Sequence, residues 1–569
     1  MPKTFFITTA IDYTNSPPHI GHAYEKVLAD VIARYHRLKG EKVFFLTGVD
    51  QHGQKVQQSA AKAGVSPAEF VKNITQKFVD LWKKLDVKYD AWAATIDPLH
   101  KKCVQGILQR LFDEGQIYKD KQAGYYSIRQ EQFLTDKERG PNGEFGPEWG
   151  DVEFREEENY YFKLSQHKEW LLSYIDNRKD AVIPDFRQTE LRNAVEKISS
   201  DRQSGSDLCI SRPKSRLDWG IELPFDKDFV TYVWFDALTN YISFAGYDPS
   251  LSTLNSQPST FLEKWPALQI IGKDILIPAH GIYWLIMLHA IDFPDEAMPQ
   301  LLVHGWWNLG GTKMSKSAGN IVDPNALADK YGAEALRYYL MSDIATGKDA
   351  DFSEERLITR FNADLANSLG NLLNRTLSML NRYRKGRVSR KFSEDKRLKY
   401  VHTFVAKVLP IVYERSLVGP AWPGGYQISW SLQFIFGRFE DDKLLYSTDP
   451  ELNAQIEEMY RETGPMSALP RCNKAIESIE PWKLLDESAH ENLLDSLLYY
   501  LAESLRIIAI LISPVLPKAA HGIFDELNWK MELSGKEDRF SLKDAEWGGL
   551  PDGHVVGKPV PLFPRIEIT

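Results

Sequence analysis

The apolar positions at the start of the chain change period twice. Lys3 to Thr9 is a short, β-rich apolar run, which predicts a strand. Ile11 to Pro18 holds Asp, Asn, Ser and two prolines and predicts a loop. Tyr24, Val27, Leu28, Val31, Ile32, Tyr35 and Leu38 then recur at spacings of three and four, one apolar face of a helix that Gly40 stops. Val43 to Leu46 follows as a second strand. Strand, helix and strand form a βαβ unit, which implies a parallel sheet.

Further along, Leu357, Phe361, Leu365, Leu369, Leu372, Leu373 and Leu377 mark a long amphipathic helix, with Asp351 and Glu354 spaced as a capping box. A second helical stretch, Glu491 to Leu511, ends before Pro514 and Pro517. Between them, Ser416 to Asp442 breaks the helical period at Gly419, Pro420, Pro423, Gly424 and Gly425. The string YQISWSLQFIFGRF then predicts a short hairpin, to which no function is assigned.

Composition narrows the class. A chain of 569 residues predicts about three or four domains, and a hydrophobic content of 43% supports a substantial core. The net charge of −9 argues against indiscriminate nucleic-acid binding and leaves a local basic patch open. Cys103, Cys209 and Cys472 are scattered, so a disulfide framework is not expected and a reducing, cytoplasmic setting is. No apolar run reaches the roughly 18 residues of a membrane span. The chain opens almost directly in the first strand, from which neither a signal segment nor a transit peptide is expected.

Two strings carry candidate chemistry. His19-Ile20-Gly21-His22 falls at the first turn of the first helix, where free backbone N–H groups and the positive dipole end favour an anion. Gly21 permits close backbone approach, and two imidazoles can donate to a phosphate whose charge rises in the transition state. A surface pair, or a zinc pair without an evident third ligand, stays open on these residues alone. Lys313-Met314-Ser315-Lys316-Ser317 lies between Gly310-Gly311 and Gly319. Two lysines on a mobile loop can close over triphosphate charge and then release product; a solvated basic loop is the plain alternative.

In this order and context the strings resemble the class I aminoacyl-tRNA synthetases, most closely their methionine-specific members, over nearly the whole chain. The resemblance implies a Rossmann-like parallel-sheet catalytic domain in residues 1–115 and 226–350, split by a connective insertion at 116–225. A helical anticodon-binding bundle at 351–569, with the atypical insertion near 416–447, completes the layout. It implies an adenylate site of His19, Gly21, His22, Lys313 and Lys316, with Asp274, His304, Met314, Ser315 and Ser317 also at the ATP. It further implies a methionine site of Ile11, Tyr13, Asp50, Trp234, Ala237, Leu238, Tyr241, His280 and Trp284, with Arg212 paired to Asp50. Aromatic walls suit a polarizable thioether, although buried rings are as readily ordinary core. Asp274 and His280 stand one residue further apart than the family spacing, and Ile277-Pro278-Ala279 is expected to absorb the excess.

Methionine-specific members usually carry zinc knuckles in the insertion. The matching positions here are Ser127, Gln130, Gly146 and Trp149, none a zinc ligand, so a metal-free knuckle packed around Tyr126, Phe133, Phe145 and Trp149 is expected. Asn371, Arg375 and Trp482 match the anticodon-reading positions: residues four apart share a helix face, and a Trp can stack an unpaired base. The nearby cluster Arg382, Arg384, Lys385, Arg387, Arg390 and Lys391 is a solvated face or an RNA contact.

The expected activity is ATP-dependent methionine–tRNA ligation, with ATP and Mg²⁺ as substrate complex and methionine and tRNA(Met) as partners. No editing domain and no dimerising appendage are expected, hence a monomer. Another class I enzyme for an apolar amino acid and a non-catalytic tRNA-binding paralogue are the alternatives.

Overall fold

The computed structural model describes residues 3–127, 132–134, 138–140, 142–198, 207–314, 319–418, 426–437, 450–485 and 490–567. They form two compact units, one of residues 1–18, 44–80 and 89–303, the other of 19–43, 81–88 and 304–569.

The first unit is built on a seven-stranded sheet. Its order is Asp12–Tyr13, Val43–Asp50, Phe5–Thr9, Leu268–Gly272, Gln300–His304 and Val182–Ile183, with Ala91–Ala94 pairing beside Val43–Asp50. Phe5–Thr9 runs parallel to Leu268–Gly272 in the register Ile7↔Leu268, and Val43–Asp50 parallel to Ala91–Ala94. The chain thus steps outward from the first strand to one side early and to the other side late. At such a switch point the carboxyl ends of the strands leave a crevice for ligands. Ile11, Tyr13, Asp50 and Asp274 all lie at or just past those carboxyl ends. The strand runs are buried and carry no alternation, as a parallel sheet covered on both faces requires.

Between the halves of this sheet, Ile117–Ser127 and Val152–Phe162 pair antiparallel over their full lengths, flanked by Gln132–Leu134 and Leu208–Cys209. The same stretch returns Val182–Ile183 to the parallel sheet, beside Gln300–His304.

The second unit is mainly helical. Its first helix spans Ile20–Leu38, and the expected apolar face is buried. Glu354–Arg360, Phe361–Gly370 and Asn371–Arg384 follow one another directly, the middle part widened into a π-helix. Leu357, Leu365, Leu369, Leu372, Leu373 and Leu377 are buried as their spacing requires.

Two expectations fail here. The cap of Glu354–Arg360 is Ser353, whose hydroxyl accepts from the Arg356 N–H; Asp351 instead accepts from the Gly311 N–H at 2.9 Å. And Ile428–Phe436, read from sequence as a hairpin, is a helix. Its Ile428, Leu432, Phe434, Ile435 and Phe436 are all buried, and so short an apolar run, with only Gln433 exposed, shows no period that separates helix from strand. Residues 419–425 and 438–449 of that insertion lie outside the described residues. Among the described residues no helix is long and apolar enough to cross a membrane.

Candidate active site

In the second unit, the first helix is capped by its own histidines. His19 is the N-cap: its Nδ1 accepts the Gly21 N–H at 3.1 Å, and the Nδ1 of His22 accepts the His19 N–H at 3.1 Å. This is a capping box in which imidazoles replace the usual hydroxyl and carboxylate. With Nδ1 an acceptor in both rings, the proton of each neutral imidazole sits on Nε2, which makes both Nε2 atoms donors. The ring centroids lie 3.8 Å apart. Gly21 has a local reason beyond ligand approach, for a Cβ there would stand 3.0 Å from His19 Cε1.

Two turns of sequence further on, the same helix carries Glu25 and Lys26, both buried. Glu25 bridges Lys26 Nζ at 2.9 Å and His304 Nε2 at 3.0 Å, and Lys26 lies over the Trp82 ring at 5.7 Å. Burial pushes the Glu25 carboxyl up, but Lys26 and His304 outweigh it and hold it below its ordinary value. The other ring nitrogen of His304 faces the Gly305 carbonyl at 2.8 Å. His304 is therefore fixed by internal partners, and sequence reasoning passed over Glu25, whose signal was a charged pair inside an apolar helix face.

Lys313 closes a hairpin between Trp307–Leu309 and Thr312–Lys313, turned by Gly310 and Gly311, both at positive φ. Its Nζ sits 3.7 Å from the centre of the Trp306 ring. Met314 is half-buried; Ser315, Lys316 and Ser317 lie outside the described residues.

In the first unit, the helix Val233–Ser243 presents Trp234, Ala237, Leu238 and Tyr241. Tyr241, His280 and Trp284 are buried together: the Tyr241 hydroxyl lies 2.7 Å from His280 Nε2, and the Tyr241 and Trp284 rings are 5.6 Å apart. His280 Nδ1 donates to the Ile275 carbonyl at 3.0 Å, so Nε2 accepts the Tyr241 O–H. Trp234 faces His280 edge-on at 6.5 Å. The segment Leu276–Trp284 has π-type turns but is interrupted at Ile277, whose backbone is extended at φ −116° and ψ 122° ahead of Pro278. Asp50 is buried at the strand end, with the Thr14 N–H donating to its carbonyl at 2.9 Å. Arg212 is buried over the Tyr232 ring at 4.6 Å, with its Nη1 on the Ser211 carbonyl at 2.7 Å. Asp274 is exposed.

The knuckle positions do not fit a zinc ion. The Ser127 hydroxyl donates to the Trp149 carbonyl at 2.5 Å, Gly146 has no side chain, and an indole N–H only donates. Gln130 lies outside the described residues. The Arg139 guanidinium lies over both Tyr125 and Phe145, at 4.8 and 4.4 Å.

In the helical region, Asn371 is exposed at the start of its helix, and Arg375 Nη1 donates to Asn473 at 3.4 Å. Asn473 belongs to Ala468–Ile479, which leads into the turn Pro481–Lys483. Trp482 there is 49% exposed, which rules out ordinary core packing.

Residues 5–144 and 149–377 match the family model described as tRNA synthetases class I (M), the class that this sheet and its two motifs define. The chain is 39% identical over its whole length to the methionine–tRNA ligase of Caldanaerobacter subterraneus subsp. tengcongensis, of which it covers 80%. It is 37% identical, again over its whole length, to that of Enterococcus faecalis, covering 78%. The solved Mycobacterium tuberculosis methionyl-tRNA synthetase in complex with methionyl-adenylate is 32% identical, with a TM-score of 0.82 over 99% of this chain and 100% of that one. The chain belongs to the class I tRNA synthetases, in their methionine–tRNA ligase family.

Proposed function

We propose that this chain is an ATP-dependent methionine–tRNA ligase that works in two steps. A methionine carboxylate oxygen attacks the α-phosphorus of ATP, brought in with Mg²⁺, and pyrophosphate leaves. A hydroxyl of the terminal tRNA ribose then attacks the carbonyl carbon of methionyl-adenylate, and AMP leaves. No covalent enzyme intermediate is required, so the rate comes from positioning and charge stabilisation.

The observation that carries this reading is the full-length likeness to a solved relative described as bound to methionyl-adenylate. In the proposed assignment, the Nε2–H groups of His19 and His22 and the ammonium groups of Lys313 and Lys316 meet the phosphate charge. Asp274 and His304 lie at the nucleotide, and Met314, Ser315 and Ser317 shape the closing loop. Asp50 and the Ile11 and Tyr13 strand end hold the methionine ammonium. Trp234, Ala237, Leu238, Tyr241, His280 and Trp284 enclose its thioether, with Arg212 behind Asp50. Asn371, Arg375 and Trp482 read the anticodon of tRNA(Met). Residues 1–115 and 226–350 form the catalytic halves, 116–225 a connective insertion whose knuckle holds no zinc, and 351–569 the tRNA-reading part. The enzyme acts as a cytoplasmic monomer.

The test is pyrophosphate exchange with each apolar amino acid in turn. Exchange with methionine alone supports the reading; exchange with another amino acid, or none, rejects it.

A further inference from the structure

The helix that carries Trp234, Ala237, Leu238 and Tyr241 is fastened from behind. At 3.6 residues per turn, about 100° per residue, those positions fall within roughly 100° of one another, and positions 236 and 243 lie on the opposite side. Both are anchored. Asp236 Oδ1 lies 2.8 Å from His100 Nε2, and His100 Nδ1 lies 2.8 Å from the Ser243 hydroxyl. The second carboxylate oxygen lies 2.7 Å from His52 Nδ1. Asp236, His100 and His52 are all buried.

A carboxylate can only accept, so both imidazoles must donate an N–H to it. His52 is two residues past Asp50, and its backbone N–H donates to Asp50 Oδ1 at 3.4 Å. The same short segment is gripped by Trp219, whose indole N–H donates to the Gln51 carbonyl at 2.5 Å and whose carbonyl accepts the Gly53 N–H at 3.2 Å. One buried carboxylate therefore joins the end of the Asp50 strand to the back of the helix whose front face carries the apolar candidates. A buried charge is costly unless fully hydrogen-bonded, and a carboxylate is not needed merely to fill space there.

We propose that Asp236, acting through His52, is a positioning residue for methionine: it fixes Asp50 relative to the helix Val233–Ser243, and so sets the grip on the amino acid without touching it. This rests on the reading of Asp50 and that helix as the methionine site.

Steady-state pyrophosphate exchange on the full chain tests it. Asp236→Asn keeps the shape but offers one acceptor and one NH₂ group, so it cannot accept from both imidazoles. The expected result is a methionine KM raised roughly tenfold or more, the scale of a small misplacement at a reacting group, with the ATP KM near that of the parent. His52→Gln, which leaves Asp236 its His100 bond, is expected to move methionine KM in the same direction and carries the test if Asp236→Asn does not fold. Methionine KM unchanged in folded variants, or both KM values rising together, overturns the proposal and makes the network a plain packing element. Asp50→Asn separates the two claims. If it raises methionine KM while Asp236→Asn and His52→Gln do not, only the positioning role falls. If Asp50→Asn has no effect, the underlying methionine site is wrong.

Discussion

His22 accepts the backbone N–H of His19 on its Nδ1 at 3.1 Å, so the second histidine of the pair holds the first in its capping position. This bond closes one half of the capping box and leaves the proton of a neutral His22 imidazole on Nε2. The pair of imidazoles thus stands at a helix start that a loop also holds, the Ile20 N–H donating to the Val322 carbonyl at 3.2 Å.

From this geometry, His22→Ala is expected to cut methionine-dependent pyrophosphate exchange by about 100-fold or more, the usual cost of losing one transition-state donor. It should also lower stability by about 1 kcal/mol for the lost hydrogen bond to the His19 N–H. Methionine KM should stay near normal, because the loss bears on phosphate charge. Lys316→Ala should match the rate loss without the stability loss. Unchanged exchange in both variants removes these residues from the chemistry.

The knuckle prediction is compositional. Purified protein should contain no stoichiometric zinc, and a chelator should leave folding intact and charging intact once Mg²⁺ is restored. The basis is the Ser127 hydroxyl bonded to the Trp149 carbonyl where two thiolates would stand. One tightly bound zinc per chain by elemental analysis contradicts it.

At the other end of the chain, Trp482→Ala should weaken tRNA charging and leave pyrophosphate exchange almost untouched. Loss of one stacking platform costs about 1–3 kcal/mol, or roughly 5- to 150-fold. A tRNA with an altered anticodon should gain little further defect with the variant, since the contact is already broken. If charging and exchange fall together, the half-exposed Trp482 is structural; if neither falls, the anticodon is read elsewhere.

A pH prediction comes from the buried pair of Asp30 and Arg337, 2.8 Å apart. Arg337 also donates to the carbonyls of Leu85, Pro514 and Val515, tying the first helix to three other segments of its unit. Burial pushes the Asp30 carboxyl up, but Arg34, Arg337 and the Lys88 N–H outweigh it and hold it below its ordinary value. Because the folded value is depressed, the stabilisation is present above the unfolded value of about 3.9 and is lost as pH falls through the folded one. Asp30→Asn strands a buried guanidinium and should cost about 3–5 kcal/mol at neutral pH. Melting curves of parent and variant should converge only below about pH 4; a constant gap down to the acid limb contradicts the assignment.

How far the sequence carried differs from element to element. The opening strand and helix were legible because a polar loop separates two clean periods, and the histidine pair because its position at the helix start follows from them. The helix Ile428–Phe436 was not, since its nine residues are mostly buried and too few to show a period. Nor was the Asp236 network, whose partners stand 184 and 136 positions apart in the chain; no local pattern marks a carboxylate that only tertiary folding brings between two imidazoles. The cap at Ser353 was misplaced by two residues because Asp351 serves the Gly310-Gly311 turn instead.

Amino-acid-dependent pyrophosphate exchange on the purified chain bears most directly on the central claim. Methionine should drive rapid exchange of labelled pyrophosphate into ATP without tRNA, and isoleucine, leucine and valine should drive little, because the methionine site proposed around Asp50 and Tyr241 would suit a long unbranched thioether. Exchange with leucine or isoleucine equal to that with methionine, or no exchange with any amino acid, would contradict the account.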